Sequence, residues 1–147
     1  MAQTPTFRTQ RLTGRPPVPE AAPLYGRLFG DSAKNDLSRD IQDWKRHSIA
    51  PWRLSHAGNE VGVGGFRIGF ADNGLEVLFH FIPEVWGQGL ASEFLRAALD
   101  YGRVDLREDR FFGYVERDDN ASVRVMQKAG FVPAQNEADK RLLMRLT

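Results

Sequence analysis

A chain of 147 residues is long enough to bury a substantial core as one domain over residues 1–147, and 41% hydrophobic with 27% charged residues is an ordinary globular balance. A net charge of +1 with scattered Lys and Arg gives no nucleic-acid footprint, and no apolar run approaches the roughly 18 residues of a membrane span. The absence of cysteine removes disulfides, thiolate metal sites and cysteine nucleophiles, and with no apolar leader after Met1 a cytoplasmic protein is expected, acting on neither membrane nor nucleic acid.

The stretch "FRTQRLTGR" (7–15) reads as a short strand. Three prolines in "RPPVPEAAP" (15–23) then make a rigid entry into a first helix over "EAAPLYGRLF". Leu37, Ile41 and Trp44 recur at helical spacing and predict a second helix over 35–49. "APWRLSH" and "VGVGGFRIGF" (61–70) are strands joined by a turn at "AGNE"; the glycines of the second leave room for another backbone or a ligand. Leu75 to Ile82 holds six apolar residues in eight and is stopped by Pro83, which suits a strand buried on both faces.

After a glycine cluster, Phe94, Ala97, Ala98 and Tyr101 mark one face of a helix expected to end at Gly102. "RFFGYVE" (110–116) is a strand, and "NASVRVMQKAGF" (120–131) a helix with Asn120 as N-cap, Val125, Met126 and Ala129 inward, and Gly130 as left-handed stop. "FVPAQ" and "KRLLMRLT" close the chain as two strands around a polar turn. Consecutive middle strands and a later strand–helix alternation predict a mixed, mostly antiparallel α/β (α+β) domain on one sheet.

Strand, glycine-rich turn and helix is also the layout of an anion site. The first turn of a helix carries unpaired N–H groups and a partial positive charge, and glycines let phosphate oxygens approach them. "PEVWGQGLAS" (83–92) has this layout but neither the Lys of a Walker loop nor the glycine spacing of a dinucleotide fingerprint. On the residues alone, a plain turn and a phosphate cradle both stand.

The run "LEVLFHFIPEVWGQGLASEFLRAALDYG" resembles motif A of the GNAT superfamily of acyl-CoA-dependent N-acetyltransferases, with Trp86-Gly87-Gln88-Gly89-Leu90-Ala91 on its Arg/Gln-x-x-Gly-x-Gly/Ala pattern. Trp-Gly-x-Gly followed by a hydrophobic residue, Ala, Ser/Thr and Glu is similar to the RimJ/RimL-like branch of ribosomal-protein N-terminal acetyltransferases. The block "NASVRVMQKAGF", about 30 residues on, resembles a second signature of that branch, and "FRTQRLTGRPP" its Thr-x-Arg-Leu opening.

The resemblance implies a GNAT fold with a splayed central strand pair and acetyl-CoA as co-substrate. By it, the backbone amides of Gly87, Gln88, Gly89, Leu90, Ala91 and Ser92 hold the pyrophosphate. A backbone amide at Phe81 or Ile82 holds the thioester carbonyl, and Asn120 reaches the pantetheine arm. Ser122 is the expected acid for the leaving thiolate, against a plain helix-start serine. Glu76 and His80, four apart on one strand and so on one face, are the candidate bases that take the proton of the amine, with Glu116 a weaker third. Lys128 matches the family's lysine but reads equally as a solvated helix residue. Trp44 and Trp52 line the acceptor pocket or sit in the core. No His/Asp/Glu grouping has metal-ligand spacing.

The expected activity is transfer of an acetyl group to a primary amine, on a protein N-terminus or a small molecule, by direct attack. The alternative is a non-catalytic acyl-CoA-binding module. The short final hairpin implies an acceptor site that is either open or completed by the second subunit of a homodimer.

Overall fold

Short strands β1 (Phe7–Arg8) and β2 (Thr13–Arg15) open the fold in the computed structural model, which describes residues 6–69, 74–134 and 141–146. They form a small hairpin where the sequence suggested one strand, because Thr9 and Leu12 close a turn between them (Thr9 N–H to the Leu12 carbonyl, 2.9 Å). Helices α1 (Ala22–Phe29) and α2 (Ala33–His47) follow, then β3 (Pro51–His56), β4 (Asn59–Ile68) and β5 (Leu75–Phe81). Helix α3 (Leu90–Val104), β6 (Phe111–Glu116), α4 (Asn120–Lys128), β7 (Phe131–Pro133) and β8 (Arg141–Leu146) complete the order. The expected mixed, mostly antiparallel sheet is observed, with eight strands among the described residues in the order β1-β2-β3-β4-β5-β6-β8-β7. Among the described residues only β5 and β6 pair in parallel. The polar turn expected before the last strand lies outside the described residues, which resume at Arg141.

The two faces of the sheet are dressed differently. Helix α3 packs on one face: a Cβ on Gly64 would lie 2.8 Å from Phe94 Cζ, so this glycine of β4 makes room for an aromatic ring of the helix. Helices α1 and α2 cover the other face, where Phe29 meets the His80 ring edge-on at 5.0 Å. Trp52, fully buried, stacks on Phe7 at 4.4 Å and touches Trp44 and Tyr101. Each such buried side chain contributes about 1.5–3 kcal/mol. Trp44 and Trp52 are therefore core.

Helix α3 does not end at Gly102. It runs to Val104, and Gly102 is buried in its last turns, where a Cβ would lie 2.6 Å from Phe111 Cε1. The glycine is there for close helix-to-sheet packing, a contact that helix-stop rules cannot see. The N-cap of α4 is likewise Asp119 and not Asn120: the Asp119 carboxylate accepts the Ser122 N–H at 3.0 Å. At the other end, Gly130 adopts φ +102, as its place in the sequence predicts.

Candidate active site

The cradle turn is built from backbone. Pro83 ends β5 and starts a 3-10 turn over Pro83–Val85, after which Trp86 folds back so that its Nε1 donates to the Phe81 carbonyl at 2.7 Å. Gly87 and Gly89 have φ of +80 and +79, a left-handed conformation that side-chain-bearing residues adopt only with strain. Space does not select Gly87, since nothing lies within 4 Å of a Cβ placed there; conformation does. Gly89 is the N-cap of α3, and its carbonyl takes the first helical bond from the Glu93 N–H at 3.0 Å. The N–H groups of Leu90, Ala91 and Ser92 are left without helical partners at the positive end of a 15-residue helix.

These groups open onto a cleft of about 710 Å³ lined by Gly87, Gly89, Leu90, Ala91 and Ser92 on one side and by Asp119, Ala121 and Ser122 on the other. A polyanionic arm fits this arrangement: left-handed glycines, orphan amides and a helix N-terminus converge on one hollow. Gln88 does not line the cleft; its carbonyl turns outward to accept from Arg11 Nη1 at 2.9 Å. Asn120 does not line it either, and is exposed at the start of α4.

Beside the cradle the sheet comes apart. Strands β5 and β6 pair only at Leu75↔Phe111 and Glu76↔Phe112, and then diverge. The Ile82 N–H donates to the Val61 carbonyl at 2.9 Å, so that amide is spent on the sheet and cannot hold a carbonyl of a bound group. In the antiparallel register Gly62↔Phe81, alternation then turns the Phe81 N–H the other way, into the opening left by β6. The carbonyl-holding amide expected at Phe81 or Ile82 can thus come only from Phe81.

The start of α4 carries Ser122, whose hydroxyl donates to Asp119 Oδ2 at 2.7 Å while its N–H donates to Oδ1. Side chain and main chain together make a cap, and the serine proton already has an anionic acceptor.

The acid–base candidates lie on the opposite face of the sheet. His80 lines the cleft; Glu76 does not, and four strand residues place it about 13 Å further along β5, at the closed end of the splay. Burial raises the Glu76 carboxyl above its ordinary range against the pull of Arg67, Arg141 and Arg39. His80 keeps an exposed edge at the cleft mouth, yet the protein packed around the ring, and then Arg67, push its pKa down to about 4, with Asp36 and Asp119 opposing. The ring is therefore neutral, with a free nitrogen lone pair, across the physiological range. Glu116 is exposed at the end of β6. Lys128 lines the cleft from α4. Among the described residues no group of three His, Asp or Glu is placed to hold a metal ion, and no helix is long and apolar enough to cross a membrane.

Residues 11–132 match the family model for the acetyltransferase (GNAT) domain. The chain belongs to the GNAT acetyltransferases. It is 30% identical to an uncharacterized N-acetyltransferase of Bacillus licheniformis over 74% of its own length and 62% of that protein, so it spans less than two thirds of that relative. Its fold is similar to that of an acetyltransferase from Agrobacterium tumefaciens, with a TM-score of 0.83 and 22% identity over 100% of this chain and 96% of the other. A RimL ribosomal alpha-N-protein acetyltransferase in complex with coenzyme A superposes with a TM-score of 0.79 at 15% identity, covering 96% of each chain.

Two features of this GNAT chain escaped the sequence reading. The first is a contact between Arg11 and Glu93, 82 residues apart, described below. The second is a buried polar cluster under α1 and α2. Asp40 is fully buried and accepts from the Tyr25 hydroxyl at 2.8 Å, with Arg39 at 3.4 Å and Arg67 at 3.5 Å. Burial raises the Asp40 carboxyl, with Arg67 and the Tyr25 hydrogen bond opposing. A signal for it was present: Asp40 sits in the inward stripe of α2, three residues from Leu37 and four from Trp44.

Proposed function

We propose that the chain transfers an acetyl group from acetyl-CoA to a primary amine, on a protein N-terminus or a small molecule, as a member of the RimJ/RimL-like branch. The observation that carries this reading is the single cleft joining the glycine turn, the open side of β5 and the first turn of α4. When bound, acetyl-CoA supplies an acyl group activated as a thioester. The amides of Gly87 and of Gly89 through Ser92 hold its pyrophosphate, with Gln88 shaping the turn through its carbonyl. The start of α4, with Asn120 at its rim, flanks the pantetheine arm.

The Phe81 N–H is the donor for the acyl carbonyl oxygen, where negative charge develops as the amine attacks; one such donor is worth about 10²–10³ in rate. His80 takes the proton the amine loses, on a neutral ring at the cleft mouth. Glu76, too far for direct contact, acts on the field of that face. Ser122 serves as a cap partner of Asp119, because thiols with pKa near about 8.5 leave as thiolates without strong acid assistance. Branch membership is supported by Trp86 through Glu93 and by the Thr9-Gln10-Arg11-Leu12 opening, which meet in space at Glu93.

The test is thiol release from acetyl-CoA over a panel of peptides with free N-termini, polyamines, amino acids and aminoglycosides. Turnover with at least one class is expected. Tight CoA binding without turnover on any amine would leave a binding module, and no CoA binding would overturn the reading.

A further inference from the structure

The β1–β2 turn, Thr9 to Leu12, lies directly against the cradle. Arg11 Nε donates to Glu93 Oε1 at 2.7 Å, and the Arg11 main-chain N–H donates to Oε2 at 2.8 Å. The Thr9 hydroxyl also donates to Oε2 at 2.6 Å, the third bond on this carboxylate, while its oxygen accepts the Leu12 N–H at 3.0 Å. Arg11 also reaches past the carboxylate: Nη1 donates to the Gln88 carbonyl at 2.9 Å, and Nη2 lies 3.6 Å from where a Gly89 Cβ would stand. His56 Nδ1 approaches the Arg11 carbonyl at 3.1 Å and backs the turn from β3. The hairpin is itself anchored, since Phe7 stacks in the core on Trp52.

We propose that Thr9, Arg11 and Glu93 form a latch that positions the glycine turn for pyrophosphate, Arg11 being a positioning residue that does not itself bind the ligand. A turn with two left-handed glycines has many conformations, and only those with the Gln88 carbonyl facing outward leave the following amides aimed at the cleft. The guanidinium fork fixes that carbonyl and the first turn of α3 at once. An isolated charge pair at this exposure would contribute little. The value of this one lies in the geometry it imposes, where three donors on one carboxylate and a fourth bond to the turn leave no freedom to rotate.

The inference rests on the proposed acetyl-CoA reading. It is tested on the full chain with Arg11→Ala, Arg11→Lys and the near-isosteric Glu93→Gln, measuring binding of CoA and KM for two donors: acetyl-CoA and S-acetyl-pantetheine, which lacks the pyrophosphate. Arg11→Ala and Glu93→Gln are expected to weaken CoA binding tenfold or more while KM for S-acetyl-pantetheine stays within twofold. Lysine at position 11 is expected not to restore CoA binding, because it keeps the charge without the fork. CoA affinity within twofold of wild type in both Arg11→Ala and Glu93→Gln would overturn the latch, as would equal losses for the two donors or full rescue by Arg11→Lys. Failure of the wild-type protein to bind CoA would instead overturn the acetyl-CoA reading, and the latch with it.

Discussion

The two sides of the cleft are made of different material. On the side of α3 the groups facing the hollow are main-chain amides, held by two left-handed glycines and a helix start, and α4 adds Asp119, Ser122 and Lys128 beside them. On the side of α1 and α2 the group at the mouth is a side chain, His80; Glu76 lies off the cleft further along β5, near the buried Asp40 with Tyr25, Arg39 and Arg67. Backbone amides are the same whatever the residue, so the first side suits a donor arm that does not vary. Side chains can be exchanged without remaking the fold, so in the proposed reaction the second side is the one assigned to the acceptor.

The largest effect is expected where a side chain does structural work inside that variable face. Asp40→Ala leaves the Tyr25 hydroxyl and two guanidinium groups without their buried partner, and should cost about 3 kcal/mol of stability. Urea denaturation measures it, and a loss under about 1 kcal/mol would show the cluster to be dispensable. Next comes the backbone side. Gly89→Arg demands a side chain at φ +79, pointing at Arg11, and should weaken CoA binding about a hundredfold while far-ultraviolet circular dichroism stays unchanged. Unaltered affinity would remove the cradle from the site.

His80→Gln comes third, with kcat expected to fall about tenfold, below the usual general-base range because a ring with a pKa near 4 is a weak base, and with acetyl-CoA KM within twofold. The same variant carries a pH test. The folded-state value of about 4 lies below the ordinary 6.5, so folding favours the neutral ring. Its contribution to stability is complete above pH 6.5 and is lost as pH falls toward 4. Wild type should lose more stability than His80→Gln between pH 7 and pH 4.5, and equal losses would place the ring in ordinary solvent. Ser122→Ala should be mildest: about 0.5–1 kcal/mol from a weakened cap and less than threefold in kcat. A hundredfold drop in kcat at constant KM would restore the serine as the acid.

Which of these features could be read in the sequence follows from how far apart the cooperating residues are. The β5 run, the Pro83 stop, the glycine turn and the amphipathic α3 are each encoded within about ten residues, and all are found as expected. Where reading failed locally, two residues competed for one role. Asp119 and Asn120 are equally competent caps, and it is the Asp119 carboxylate that accepts the Ser122 N–H. Gly102 looked like a helix stop because its packing partner, Phe111, lies on the next strand. The Arg11 latch was out of reach for the same reason: nothing near Glu93 announces a guanidinium 82 residues upstream.

"PEVWGQGLAS" by itself determined that a strand stops, that the backbone is free to turn left-handed at two glycines, and that a helix begins with its amides bare, because φ preference, proline and helix-end chemistry are short-range. The sequence also determined the family, since two separated blocks carry its signature. Tertiary structure alone decided that the turn opens onto a cleft, that the Ile82 amide and not that of Phe81 is spent on β4, that His80 reaches the cleft while Glu76 does not, and that Arg11 of the β1–β2 turn bonds Glu93 and the Gln88 carbonyl. Those outcomes depend on sheet register and on where β5 and β6 part, which are set by long-range packing of aromatic rings on both faces of the sheet.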